Sequence, residues 1–278
     1  MLPARRGAAR APPSGRRVSE SPRVLLEACA DLARLAGERA HSHFKPGIAV
    51  DLKADGSPVT RADREAEELG REWLAKRFPG DAVLGEEFGA AGAPGAGRRW
   101  VIDPVDGTRS FVKGVPLWGT LVAVMEGEHV LAGAAAFPAC GEWVAAARGE
   151  GAWWNGSRAG VSATASLDAS TLLHTGTAFD DAGRRSRWDA LADRAGTVRT
   201  WGDCFGYLMV ATGRAEVMMD PRLNVWDAAS VMVIVDEAGG VFTDWTGTRT
   251  ANGIGGIATN AALATEVRAA LCRPGPSR

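Results

Sequence analysis

Asp103 and Asp106 stand three residues apart in Trp100-Val101-Ile102-Asp103-Pro104-Val105-Asp106-Gly107-Thr108, where an apolar run ends. Two carboxylates held that close by a turn repel each other unless a cation sits between them. Oxygen-only ligands at the mouth of a strand favour a hard divalent ion, Mg²⁺ ahead of Zn²⁺. Pro104 forbids a simple continuation of the strand, so the chain must turn. The Val105 carbonyl, between the two aspartates, then becomes available as a further hard ligand. Gly107-Thr108 opens a helix whose free N–H groups can receive a phosphate. The competing reading is an Asp-Pro turn with Asp106 as a helix cap, yet the string is far more specific than a lone glycine-rich loop.

Further acids carry the same double reading. Glu86 and Glu87 follow Val83-Leu84-Gly85, so an acid comes directly after a hydrophobic strand. The preceding glycine suggests that the backbone approaches something closely. Glu86 is the expected metal ligand, with Glu87 turned away; an ordinary solvated pair is the alternative. Asp227 falls in the first turn of an apolar helix, Asn224-Val225-Trp226-Asp227-Ala228-Ala229-Ser230. It suits either an N-terminal cap or a buried ligand. Thr60 and Asp63 match a capping box. Alternatively Asp63 reaches the Thr108 hydroxyl, and both hold only if Asp63 keeps a free oxygen.

These residues need elements to hold them. Apolar positions Leu25, Ala28, Cys29, Leu32 and Ala36 give a helix over 24–44. A second helix is expected over 61–78, with Ala62, Ala66, Leu69 and Trp73 on one face and Pro79-Gly80 as its stop. Strands are expected at 82–84 and 99–103, then antiparallel strands at 117–125, 130–137 and 142–147. Asn155-Gly156 is a strong hairpin signal. Helix 186–195, strand 197–201, helix 203–212, strand 215–219 and helix 226–237 follow. A strand at 256–259 and a helix over 261–271 close the chain. Interleaved helices and antiparallel strands argue for a layered α/β sandwich rather than a parallel barrel.

Composition narrows the function classes. The 278 residues suffice for a substantial core, and Lys plus Arg (32) nearly balances Asp plus Glu (33), a net charge of −1. That balance gives no general attraction to nucleic acid or to an anionic membrane. No basic stripe with interleaved aromatics supports the rival class, a protein- or RNA-binding factor. Cys29, Cys140, Cys204 and Cys272 are scattered, which reads as reduced core thiols of a cytoplasmic protein. Apolar runs are interrupted well short of a membrane span. The Arg-rich first 21 residues fit a disordered tail or a transit peptide; Pro3, Pro12 and Pro13 favour the tail. Residues 22–272 are expected to form one domain, in halves 22–160 and 161–272.

Together, Gly85-Glu86-Glu87, Ile102-Asp103-Pro104-Val105-Asp106-Gly107-Thr108 and Trp226-Asp227 resemble the inositol monophosphatase-like, lithium-sensitive phosphatase superfamily. Arg199-Thr200-Trp201-Gly202-Asp203-Cys204-Phe205-Gly206-Tyr207, with Met218-Met219-Asp220-Pro221, looks most like its histidinol-phosphate phosphatase branch. The resemblance implies a layered αβαβα sandwich of mixed, largely antiparallel sheets. It implies two or three Mg²⁺ ions: Glu86, Asp103 and the Val105 carbonyl on one, Asp103, Asp106 and Asp227 on another, and Glu86 on a weaker third. Gly107 and Thr108 would donate to the phosphate, Asp63 and Thr108 would assist the attacking water, and Arg199 would lie on the substrate side. Asp203 and Asp220 are expected near the pocket rim, where a carboxylate suits the ammonium of an amino-alcohol phosphate. The implied activity is hydrolysis of L-histidinol phosphate by metal-activated water without a phosphoenzyme. The alternative is an inositol or broader sugar-phosphate phosphatase. A homodimer acting on a small phosphate ester, without nucleic acid or membrane, completes the expectation.

Overall fold

Ser21 begins the fold: its hydroxyl accepts the Val24 N–H and caps α1 (Pro22–His41). This computed structural model describes residues 20–272 apart from 46, 54, 55, 57, 93–95, 177 and 180. Most of the expected tail and the Pro274–Arg278 end lie outside the described residues. Glu20 and Ser21, assigned to that tail, belong instead to the fold, since Glu20 pairs with Arg98. A hairpin of β1 (Val50–Leu52) and β2 (Pro58–Thr60) runs into α2 (Arg61–Arg77), and β3 (Ala82–Gly85), β4 (Gly89–Ala91) and β5 (Arg98–Asp106) follow. The short α3 (Thr108–Val112) leads to β6 (Gly119–Glu126), β7 (His129–Phe137), β8 (Glu142–Ala147), β9 (Gly151–Trp154) and β10 (Ser157–Arg158). An eight-stranded sheet results, ordered β10-β9-β8-β7-β6-β5-β3-β4 and antiparallel except between β3 and β5. Asn155 and Gly156, both at positive φ, make the expected hairpin turn.

The second half comprises β11 (Thr171–His174), α4 (Ala182–Ala192), β12 (Thr197–Arg199), α5 (Asp203–Ala211) and β13 (Val217–Asp220). It closes with α6 (Val225–Glu237), β14 (Val241–Thr243), β15 (Gly256–Thr259) and α7 (Ala264–Leu271). Its five-stranded sheet runs β12-β11-β13-β15-β14, with β11 parallel to both neighbours and the other pairs antiparallel. α1 and α2 cover one face of the large sheet, α5 and α6 fill the space between sheets, and α4 and α7 cover the far face. That is the expected αβαβα sandwich. Among the described residues, no helix is long and apolar enough to cross a membrane.

Several sequence expectations shift. α1 ends at His41 rather than 44, α4 starts at Ala182, and α7 starts at Ala264. β11 carries no alternation in its four residues and was not expected. On α2 the buried stripe is Ala62, Asp63, Ala66, Glu67, Gly70 and Leu74. Leu69 and Trp73, expected on that face, are half-buried and line an outer groove. The two acids in the stripe are what displaced it. Cys29 and Cys204 are buried as expected, whereas Cys140 and Cys272 are half-buried.

The central helix meets the large sheet with no clearance. A Cβ at Gly133 on β7 would lie 2.8 Å from the Ser230 Cα of α6. At Gly37 of α1 the nearest contact is 3.4 Å, an ordinary approach. Gly133→Ala is therefore expected to destabilise the protein by about 1–3 kcal/mol in urea unfolding. Gly37→Ala, gaining helix propensity, is expected to be neutral or stabilising in the same assay.

Candidate active site

β5 sets the site by breaking its own regularity. Between Asp103 and Asp106 it advances three residues while β6 advances two, from Leu121 to Gly119. Strand side chains alternate faces, so residues three apart would normally point oppositely. The extra residue of the bulge returns both aspartates to one side. Pro104 has no N–H to lose, and its carbonyl accepts the Thr120 hydroxyl at 2.7 Å. Asp103 Oδ1 accepts the Val105 N–H at 3.0 Å, which fixes the turn. Gly107 then takes φ 85°, and a Cβ there would press on the Leu117 carbonyl and Asp203 Oδ2. α3 follows it, as expected.

Two more helices close on this turn. The Cys204 N–H, in the first turn of α5, donates to Asp106 Oδ2 at 2.5 Å. At the start of α6, Asp227 Oδ2 accepts the Asn224 N–H at 2.6 Å, a capping box. The cap reading of Asp227 holds through Oδ2, and the same side chain also belongs to the acidic cluster. One ligand atom each from Asp103, Asp106 and Asp227 lies within 4.8 Å of the others. Asp103 is buried and the other two are half-buried.

Electrostatics makes this cluster a candidate cation site. Burial, then Glu86, Asp106 and Asp227, pushes the Asp103 carboxyl well above its ordinary range. Burial, with Asp203 and Asp227, does the same to Asp106. Burial raises Asp227 to about 6, against the hydrogen bonds from Asn224. Like charges this close, with oxygen donors only, fit a hard divalent cation.

Glu86 sits beside the cluster because its N–H donates to the Ile102 carbonyl at 3.1 Å, extending the β3–β5 pairing. Its carboxylate also pairs with Lys53 at 2.7 Å. Glu87, expected to turn away, is not solvated: it pairs with the same Lys53 at 2.6 Å, and its side chain is 6% exposed. Burial raises Glu87 to about 7, against the pull of Lys53. Burial works against the charge on Lys53, but the two glutamates outweigh it and hold its pKa above the usual range.

Asp63 resolves an open choice. Its Oδ2 accepts the Thr60 N–H at 2.8 Å and the Thr60 hydroxyl at 2.6 Å, completing the capping box. Its Oδ1 is buried with no hydrogen-bond partner among the described residues, the spare oxygen that the second reading requires. Thr108 does not meet it, because the Thr108 hydroxyl donates to the Val105 carbonyl at 2.9 Å.

A cleft of about 350 Å³ opens over these groups, lined by Glu86, Gly107, Thr108, Arg109, Thr175 and Asp203 among others. A smaller adjoining cavity reaches Asp106, Tyr207, Asp220 and Asp227. Asp203 holds the strained φ of 52°, and its N–H donates to the Thr175 hydroxyl at 2.7 Å. Burial raises its carboxyl to about 6, opposed by Arg109. Asp220, expected at the rim, is buried on the floor, where it accepts the Tyr207 hydroxyl at 2.9 Å. Burial raises it to about 7, against a hydrogen bond from Thr175.

Arg199, expected on the substrate side, is exposed at the end of edge strand β12 and donates to its neighbour's carbonyl. The arginines lining these cavities are Arg109 and Arg222. Lys53 begins a string, Lys53 to Thr60, that leans toward the same phosphatase branch by resemblance, but sequence reasoning gave it no role, and it missed Thr175, which lies in a loop without a motif. It missed Glu67 as well, four residues beyond Asp63 on α2, a spacing that marks one helix face.

Comparison with known proteins points the same way. The model of the inositol monophosphatase family matches residues 21–274. A histidinol-phosphatase of Chlorobaculum parvum is 44% identical over 250 residues, 88% of this chain and 96% of that protein. The histidinol-phosphatase of Mycobacterium tuberculosis is 38% identical over 226 residues, 79% of this chain and 86% of that protein. The solved Thermotoga maritima IMPase superposes with a TM-score of 0.78 at 30% identity, covering 88% of this chain and 96% of that one.

The acids generate a pH signature. A carboxylate whose folded pKa is raised stabilises the fold below its unfolded pKa, and that contribution disappears as pH rises through the folded value. Asp227 and Asp203, near 6, and Asp220, near 7, lose it between about pH 4 and 7. A divalent cation such as Mg²⁺ at the Asp103, Asp106 and Asp227 cluster would favour the ionised form of Asp227 and offset that acid's share of the loss. In thermal melts Mg²⁺ is expected to raise Tm more at pH 8 than at pH 5.5; equal shifts at both would contradict this.

Proposed function

Because the chain belongs to the inositol monophosphatase family and is a phosphatase, we propose that it hydrolyses histidinol phosphate to histidinol through a Mg²⁺-loaded acidic site. The observation that carries the site is the convergence of Asp103, Asp106 and Asp227, drawn from one bulged strand and a distant helix. The chemical identity of the substrate is supported by the two histidinol-phosphatase relatives. The acids Asp203 and Asp220 in the cavity wall support it too.

On this reading Asp103, Asp106, Asp227, Glu86 and the Val105 carbonyl hold the cations. Divalent ions there would lower the pKa of a water and offset the charge of the phosphate dianion. The Asp63 Oδ1, buried and without a hydrogen-bond partner among the described residues, would accept a hydrogen bond from that water and so orient it. Thr108 stays tied to the Val105 carbonyl and offers its backbone N–H, with that of Gly107, to phosphate oxygens. Arg109 adds positive charge at the mouth of the cleft. The ammonium of the amino alcohol is taken by Asp203, with Asp220 beneath it. Thr175 ties the two together by accepting the Asp203 N–H and donating to the Asp220 carboxylate. We read residues 22–272 as one domain, since the core around α5 and α6 draws on both sheets.

Phosphate release from histidinol phosphate and from myo-inositol 1-phosphate, with Mg²⁺ and with chelator, tests the reading. The amino-alcohol ester is expected to be preferred and chelator to abolish turnover; preference for the polyol ester would favour the inositol-phosphatase alternative. Changes to groups that merely orient metal ligands cost about 10–100-fold. Asp106→Asn is therefore expected to lower kcat/KM by more than about a hundredfold. Asp203→Asn is expected to raise KM for histidinol phosphate about tenfold or more, the value of a lost charge-assisted hydrogen bond, with kcat nearly unchanged.

A further inference from the structure

We propose that Glu67 is a positioning residue that sets Glu86 against the metal cluster by gripping the turn between β3 and β4. The proposal rests on the reading of Glu86 as a metal ligand. Glu67 is completely buried on α2, yet among the described residues its carboxylate's hydrogen bonds do not go to the aspartate cluster. Instead Oε2 accepts the Glu87 N–H at 2.7 Å, and Oε1 accepts the Phe88 N–H at 3.2 Å. These two amides belong to the turn immediately after Glu86, and no strand partner is available to them there. Arg71, one helical turn further on, donates to Oε1 at 2.8 Å and also contacts the Gly89 carbonyl. A single helix face thus presents Asp63 to the site and then Glu67 and Arg71 to the loop that carries Glu86.

Gly85 shows how close this grip is. A Cβ on Gly85 would lie 1.9 Å from Glu67 Oε1 and 2.2 Å from its Cδ. The glycine that precedes the acid pair is required by Glu67. Because the Glu86 N–H is fixed separately on the Ile102 carbonyl, the turn is pinned at both ends. Glu67→Gln replaces one acceptor oxygen by an amide that faces a backbone N–H, so one end of the turn is released.

The test measures Mn²⁺ binding directly, from the EPR signal of free Mn²⁺, beside metal-free thermal melts. Wild type, Glu86→Gln, Glu67→Gln, Gly85→Ala and the Gly85→Ala/Glu67→Gln double variant are compared. Glu86→Gln, Glu67→Gln and Gly85→Ala are each expected to raise the half-saturating Mn²⁺ concentration by about tenfold or more. The double variant is expected to be no worse than either of its single changes, because both release the same turn. If Glu86→Gln weakens binding while Glu67→Gln binds as wild type, the positioning role is overturned and the ligand reading stands. If Glu86→Gln binds as wild type, the ligand reading fails and the proposal fails with it. Should Glu67→Gln give no cooperative melt, Gly85→Ala decides, and wild-type Mn²⁺ affinity in that variant overturns the proposal.

Discussion

Like charges must be brought together here and kept from repelling the fold apart. Asp103, Asp106, Asp227 and Asp63 come from three separate stretches of chain, and taking each from water is costly without compensation. The compensation has one form throughout. Asp103 accepts the Val105 N–H, Asp106 the Cys204 N–H, Asp227 the Asn224 N–H and Asp63 the Thr60 N–H. Every acid has one oxygen held by a backbone amide near a turn or helix start. The arrangement fixes each side chain through a single oxygen, and on Asp63 it leaves the other, Oδ1, without a hydrogen-bond partner among the described residues.

That solution dictates what the scaffold must supply. Three of the four amides sit at the beginnings of helices α2, α5 and α6, where N–H groups have no partner within the helix. Helix starts carry partial positive charge, so they stabilise the anions they bind. The fourth lies in the bulge of β5, which supplies an amide and reorients Asp106 at the same step. A layered sandwich directs helix ends toward the ends of sheet strands, and the site occupies that seam. The central helix packs without clearance on Gly133, so Asp227 cannot drift from the two aspartates on β5.

Much of this was legible before any coordinates. The string from Trp100 to Thr108 predicted a strand, a turn forced at Pro104 and a helix start; the strand and the helix appear, but β5 runs on through Pro104 to Asp106 and bends by a bulge instead of ending in a turn. The capping boxes at Thr60–Asp63 and Asn224–Asp227 follow from local spacing, and local spacing is what a sequence records best. What escaped notice was non-local. Glu67 looks like one more acid on a polar helix, and only the path of β3 makes it buried. Asp220 reads as an acid at the pocket rim, but it is buried, with Tyr207 and Thr175 hydrogen-bonded to it. β11 has too few residues for its alternation to register, and its partners β12 and β13 are far along the chain. Arg199 was placed by resemblance alone, without a physical constraint on where its long side chain would lie.

The two groups of acids also differ in what surrounds them. Asp103, Asp106 and Glu86 belong to the large sheet and the turns that leave it, while Asp203 and Asp220 belong to the small sheet and α5. Thr175, just after β11, accepts from Asp203 and donates to Asp220 and so joins the acids of the second group to each other. On the proposed reading, charge neutralisation depends on one sheet and recognition of the leaving alcohol on the other. Substitutions at 175, 203 or 220 can then reshape the alcohol side while the amide-held oxygens of Asp103 and Asp227 stay in place. Asp106 is the exception: its amide comes from Cys204, the residue after Asp203. A change in α5 that suits a different alcohol must still deliver that N–H. The first turn of α5 is therefore the place where selectivity and metal chemistry constrain each other.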